Sequence, residues 1–196
     1  MENDKEKLRE KVEIILNSDY LTVPTRRVLK ERQNKRGEPQ FFDADVFHLL
    51  SVVCNLLLDQ DPDEEMVNIA LAIDERLFEN GSNGWRYDEQ PPDPMAYQLG
   101  LKALNAEAES AFGNSFTMLS KEQQVLILAN VQKGETKSTG WEKVNPKLFF
   151  EDLLTESAEI FFSHPTVQAQ IGYVGMADAR GWTKIKLNQS ENIEKL

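Results

Sequence analysis

The sequence predicts an all-α protein: a single helical-bundle domain of six to seven helices with an irregular C-terminal segment. Three observations carry this. Apolar residues recur every three or four positions over most of the chain, the spacing that lines one face of a helix. Helix start and stop signals bracket those periodic stretches. Strand-like alternation occurs only at Lys184-Ile185-Lys186-Leu187, which has no partner run to pair with.

Residues 4–17 place Leu8, Val12, Ile15 and Leu16 on one stripe, and Pro24 opens a short helix over 24–33 with Val28 and Leu29 inward. Residues 33–40 contain no apolar side chain and read as a loop. Asp43 caps a helix to about Leu58, with Val46, Phe47, Leu50, Val53, Cys54 and Leu57 on one face. Asp61-Pro62-Asp63-Glu64 combines a cap, a first-turn proline and a reaching-back glutamate, so the next helix is expected from there through Met66, Ile69, Ala70, Ile73 and Leu77 to a left-handed turn at Gly81. Residues 81–93 are a loop of turn formers that nonetheless holds Trp85 and Tyr87. Asp93-Pro94 repeats the cap-and-proline device before Tyr97, Leu101, Leu104, Ala108 and Phe112, and Gly113 closes that helix. Ser120 and Gln123 form a capping box, after which Val125, Leu128 and Ala129 share the inward stripe, flanked by Leu126 and Val131. Asn145-Pro146 starts the last long helix, which uses Leu148, Phe149, Leu153, Ala158 and Phe162 and ends at His164-Pro165. A short helix and an irregular extended segment are expected to follow. The implied organisation is an N-terminal helical arm over 1–36, a helical domain over 37–188 and a flexible tail over 189–196.

Composition narrows the function. The chain has 196 residues, 40% hydrophobic and 28% charged, the profile of a globule with a core. With 33 acidic residues against 22 Lys and Arg, the formal charge is -11. That balance argues against nucleic acid or an anionic membrane surface as partner. The charge is uneven: the first 36 residues hold ten basic and seven acidic residues, while Asp61 to Asn80 hold seven acids and one base. No apolar run spans a bilayer, and no membrane insertion is expected. Arg26-Arg27 lacks the apolar segment an export signal needs and reads as a solvated helix face. The expected location is cytoplasmic as the sequence stands, and periplasmic if a signal was removed or the partner is exported.

No nucleotide loop, nucleophile elbow or metalloprotease motif is present. Cys54 lies on an apolar helix face and reads as a small hydrophobe. Asp45 and His48 sit one turn apart, half of a di-iron pattern whose second pair is missing, because Phe161 precedes His164 by three. Glu64/Glu65 and Asp74/Glu75 are adjacent rather than facing, and read as solvated helix faces. The residues therefore indicate no catalytic, cofactor-binding or metal site. The alternative is a stand-alone helical metal-binding protein or enzyme built on Asp45, His48 and nearby acids.

From Phe41 onward the chain resembles the gluconate 2-dehydrogenase subunit 3 family, the small subunits of FAD-dependent sugar and sugar-acid dehydrogenases. The likeness rests on pieces in order: Phe41-Phe42, then Asp59-Gln60-Asp61-Pro62, then Tyr97-Gln98-Leu99-Gly100-Leu101-Lys102-Ala103-Leu104-Asn105 with Ala106 and Ala108. Phe112-Gly113, Phe116, Leu119-Ser120, Gln124 and Gln132-Lys133-Gly134-Glu135 follow, then Phe149-Phe150, Phe161-Phe162, His164-Pro165, Ile171-Gly172-Tyr173-Val174-Gly175 and Arg180-Gly181-Trp182. The chain departs from the family in having no twin-arginine signal and no Gly-Gly-Asn turn near its end, and looks like a signal-less branch. The resemblance implies a subunit that is not itself the catalyst. It supports a large glucose–methanol–choline type subunit that binds FAD and oxidises the sugar, with a cytochrome c subunit as a further expected member of the complex. Aromatic and arginine side chains in glycine- and proline-rich loops are then the candidate partner interface: Trp85, Arg86, Tyr87, Trp141, Tyr173, Arg180 and Trp182. The competing reading of each is a core residue or a plug for the end of the bundle.

Overall fold

The computed structural model describes residues 2–19, 21–34, 37–79, 81, 90–173 and 187–188. Eight α-helices run through these residues: α1 (Glu2–Asn17), α2 (Val23–Gln33), α3 (Ala44–Leu57), α4 (Ile69–Phe78), α5 (Asp93–Phe112), α6 (Lys121–Lys133), α7 (Pro146–Phe162) and α8 (Pro165–Gln170). Short 3-10 turns occupy Pro62–Glu64, Phe116–Met118 and Thr139–Lys143, and no strand occurs among the described residues. The fold is all-α, as the periodicity requires. Two compact units divide the chain, residues 37–160 and residues 1–36 with 161–196.

In the terminal unit Val12, Ile15, Leu16, Leu21, Leu29 and Ala169 form the core, with Leu8 packed on it. Thr22 caps α2, one residue ahead of the expected start, and His164 Nδ1 accepts from the Thr166 N–H at the start of α8. The reading of Arg26-Arg27 as a solvated face holds for one of the pair. Arg27 is exposed and meets Glu31 at 3.7 Å. Arg26 instead turns inward: its Nε donates to the Leu16 carbonyl and its Nη2 to the Ser18 carbonyl, both at 2.7 Å. The guanidinium thus satisfies carbonyls that the end of α1 leaves without helical partners.

In the central unit several start signals act as read. Asp43 Oδ1 accepts from the Val46 N–H, and the Ser120–Gln123 capping box is complete in both directions. Gly113 and Gly134 close α5 and α6 with φ of 74° and 72°. Three expectations are corrected. First, Asp61 caps only one 3-10 turn, and the helix proper restarts at Asn68, whose Oδ1 accepts from Leu71. The break has a physical cause in Gln60. Its amide takes the N–H groups of Met66 and Val67 and donates to the Val67 carbonyl, so residues 66 and 67 are bonded outside any helix. The turn after α4 also differs, because Gly81 is not left-handed and donates its N–H to the Arg76 carbonyl at 2.8 Å. Second, Asp93 is not a cap. Pro92 precedes α5 without a side-chain cap, and the Asp93 carboxylate is drawn to Arg76. Third, α6 buries Gln124, Ile127, Leu128 and Val131, while Val125 and Leu126 face outward.

Candidate functional site

Charged residues inside the inward stripes build the polar interior of the central unit. Ala70, Ile73, Asp74 and Leu77 follow the spacing that α4 buries, and all four are buried. Reading Asp74 as part of a solvated face is therefore overturned. Its carboxylate accepts the backbone N–H groups of Gln40 (2.6 Å), Phe41 (3.1 Å) and Phe42 (2.9 Å). A buried carboxylate is tolerable only with such bonding, and here it pins the loop that leads into α3. Glu107 does the same from α5, accepting from Lys137 at 2.9 Å and Ser138 at 2.8 Å and fixing the entry to the 139–143 turn. That turn lies against α5 closely enough that a Cβ on Gly140 would meet the Ala103 Cα at 2.9 Å.

The densest cluster joins α4, α5 and α7. Arg76 forks onto Glu156, Nε to Oε1 at 2.5 Å and Nη2 to Oε2 at 2.8 Å. Its Nη1 donates to Asp93 Oδ2 at 3.0 Å and to the Gly81 carbonyl at 2.9 Å. The Tyr97 hydroxyl donates to Glu156 Oε2, and the guanidinium stands 5.7 Å from the Tyr97 ring centre. Burial, and then the charge of Glu156, hold the Tyr97 hydroxyl well above its ordinary pKa, so it remains a neutral donor. Asp152, on the same helix as Glu156, is raised to about 6 by partial burial and by the charges of Asp93, Glu151 and Glu156. Both stems of the 82–89 stretch are tied down here. Arg76 holds the Gly81 carbonyl, and the Gln90 side chain brackets Asn145, accepting its N–H at 3.2 Å and donating to its carbonyl at 3.4 Å. This arrangement fastens helices and loop stems. Glu156 accepts from both a guanidinium fork and a phenol, bonds that tie α7 to α4 and α5.

Cys54 is buried, with Ser157 Oγ donating to its sulfur at 3.6 Å, and burial pushes its thiol up to about 12. Asp45 and His48 are both exposed on α3, and no grouping of three His, Cys, Asp or Glu side chains suited to a metal occurs among the described residues. Of the candidate interface residues, Trp85, Arg86, Tyr87, Arg180 and Trp182 lie outside the described residues. Trp141 is 8% exposed, with its ring 5.8 Å from that of Phe149. Tyr173, just past α8, is 48% exposed. Trp141 belongs to the central unit and Tyr173 to the terminal one. What the sequence reading missed is the set Asp74, Arg76, Glu107 and Glu156. The signal was available for the acids, since each sits at an inward position between apolar neighbours.

Architecture and interior define the class first: an all-α protein whose central unit spends its buried carboxylates on its own backbone and side chains. The model of the family described as gluconate 2-dehydrogenase subunit 3 matches residues 44–185, well over half of the chain. The protein belongs to that family, and membership implies a complex with a dehydrogenase subunit. No curated protein and no solved structure matches it. No helix among the described residues is long and apolar enough to cross a membrane.

Much of the sequence likeness falls on residues that hold the fold. Tyr97 bonds Glu156, Gly100 lies against Phe149, Phe116 is buried, Gly113 and Gly134 are left-handed caps, and Ser120 starts α6.

Proposed function

We propose that this chain is a non-catalytic accessory subunit that binds and stabilises an FAD-dependent, glucose–methanol–choline type sugar or sugar-acid dehydrogenase. One observation carries the reading. Within a chain of this family, the buried carboxylates Asp74, Glu107 and Glu156 and the partly buried Arg76 are each engaged in bonds that hold loops and helices together. The flavin belongs to the large subunit, a cytochrome c subunit is the expected electron acceptor, and this chain follows the dehydrogenase to its compartment. Trp85, Arg86, Tyr87, Trp141, Tyr173, Arg180 and Trp182 are the side chains proposed for the contact.

The test is affinity capture of the full chain from its native host, with flavin absorbance read on the captured material, alongside co-expression with the captured partner. The isolated chain is expected to be colourless and inactive, and the large subunit to gain yield and thermal stability in its presence. Turnover of a sugar by the isolated chain, or failure to co-purify with any flavoprotein, would refute the proposal.

A further inference from the structure

Helix α6 carries two apolar stripes. One, Ile127, Leu128 and Val131 with Gln124, is buried. At 3.6 residues per turn, the midline of the opposite face falls on Glu122, Val125, Leu126, Ala129 and Lys133. Val125 and Leu126 are 50% and 51% exposed there. The outer midline of a surface helix ordinarily carries polar and charged side chains. Here it carries three apolar ones between an acid at the start and a base at the end.

We infer that this stripe is the contact surface for a second copy of the chain, with two α6 helices packed antiparallel about a two-fold axis. Charge order selects both occupant and direction. In the antiparallel arrangement Glu122 faces Lys133 of the second copy, Val125 faces Asn130 and Leu126 faces Ala129, and symmetry repeats every pair. A parallel arrangement would set glutamate beside glutamate and lysine beside lysine. Leucine opposite alanine alternates large with small, which lets two helix axes approach to roughly 8–10 Å. The stripe covers about three turns, roughly 16 Å. One helix pair lies at the small end of specific interfaces, so the dimer is weak, with a Kd on the order of 10–100 µM. This inference stands apart from the accessory-subunit reading, and either can fail without the other.

The test is sedimentation equilibrium of the full chain across about 5–500 µM, a range chosen to bracket that Kd. The chain is expected to be monomeric at the low end and dimeric at the high end. Glu122→Lys and Lys133→Glu each turn two attractions into two repulsions and are expected to weaken the dimer roughly tenfold. Mixing these two variants restores opposite charges at both ends, so the mixture associates more tightly than either variant alone. Leu126→Glu abolishes association. Thermal melts of each variant confirm that the fold is retained, and the mixing experiment separates pairing from any loss of helix stability. A chain monomeric throughout, or a dimer indifferent to the charge swaps, overturns the inference. So does a monomeric chain whose capture of a flavoprotein is lost on Leu126→Glu, because the stripe then belongs to a different partner.

Discussion

Replacing Gly100 with alanine is a sharp test of the packing described above, because two physical effects oppose each other. Gly100 lies inside α5, and for an exposed helix interior alanine is more favourable than glycine by about 1 kcal/mol. The structure predicts the reverse. A Cβ at this position would stand 2.3 Å from two carbons of the Phe149 ring, more than 1 Å inside ordinary contact. Phe149 is 3% exposed, and its ring is flanked by Trp141 at 5.8 Å and Tyr97 at 6.2 Å between centres. Those two rings limit how far the Phe149 ring can retreat, and Tyr97 is itself bonded to Glu156. Overpacking of this kind costs about 1–3 kcal/mol, and the upper part of that range applies to a hemmed-in ring. After the helix-propensity gain, the expected net destabilisation is about 2 kcal/mol, a fall of roughly 4–8 °C in Tm for a domain of this size. Circular dichroism melts and urea titrations read it. Phe149→Leu in the Gly100→Ala background is expected to recover part of the loss, whereas alone it is destabilising, so the pair is non-additive. An alanine variant that melts at or above the parent temperature refutes the argument.

Three further outcomes follow from the buried polar groups. Asp152, raised to about 6, holds its proton more tightly folded than unfolded, so its stabilising contribution is complete below about pH 4 and lost as pH rises through 6. Full linkage would be about 3 kcal/mol. Solvent screening of a partly exposed group reduces this to about 1 kcal/mol. Asp152→Asn should therefore be the more stable chain at pH 7, with its advantage over the parent shrinking between pH 6 and pH 4 in paired urea titrations. Asp74→Ala strands three backbone N–H groups and is expected to cost about 2–4 kcal/mol, with faster amide exchange at residues 40–42 as the local signature. Unchanged exchange there would contradict the clamp. Cys54 should resist thiol reagents in the native protein and react with one equivalent in denaturant, since its thiol is buried and pushed up to about 12. Rapid native labelling would contradict that burial.

Legibility of the fold tracked the locality of the forces. Helix existence and most ends were readable because caps act within four residues: Asp43, Ser120, Gly113 and Gly134 behave as their types require. Where distant groups compete, local rules lost. Gln60 reaches six and seven residues on to bond Met66 and Val67, and so splits the helix expected from Asp61. Arg76 takes Asp93 away from its cap. The inward face of helix α6 is not legible from spacing, because the helix has two apolar stripes and spacing cannot say which one is buried. The buried acids were visible as residues but not as partners, because Asp74 meets a loop more than thirty residues away and Arg76 meets Glu156 across 80 positions. Of the candidate contact residues, the sequence supplied chemical type only, and Trp141 shows that an aromatic in a turn can serve the interior instead.

The fastening of Gly81 by Arg76 and of Gln90 by Asn145 has an evolutionary consequence. Both fastenings are made by Arg76 and by the pairing of Gln90 with Asn145, so neither depends on which side chains occupy positions 82–89. Lengthening such a segment adds only about 0.6 kcal/mol of closure entropy per doubling. Insertions and substitutions at those eight positions are therefore expected to leave the bonding of the helices unchanged.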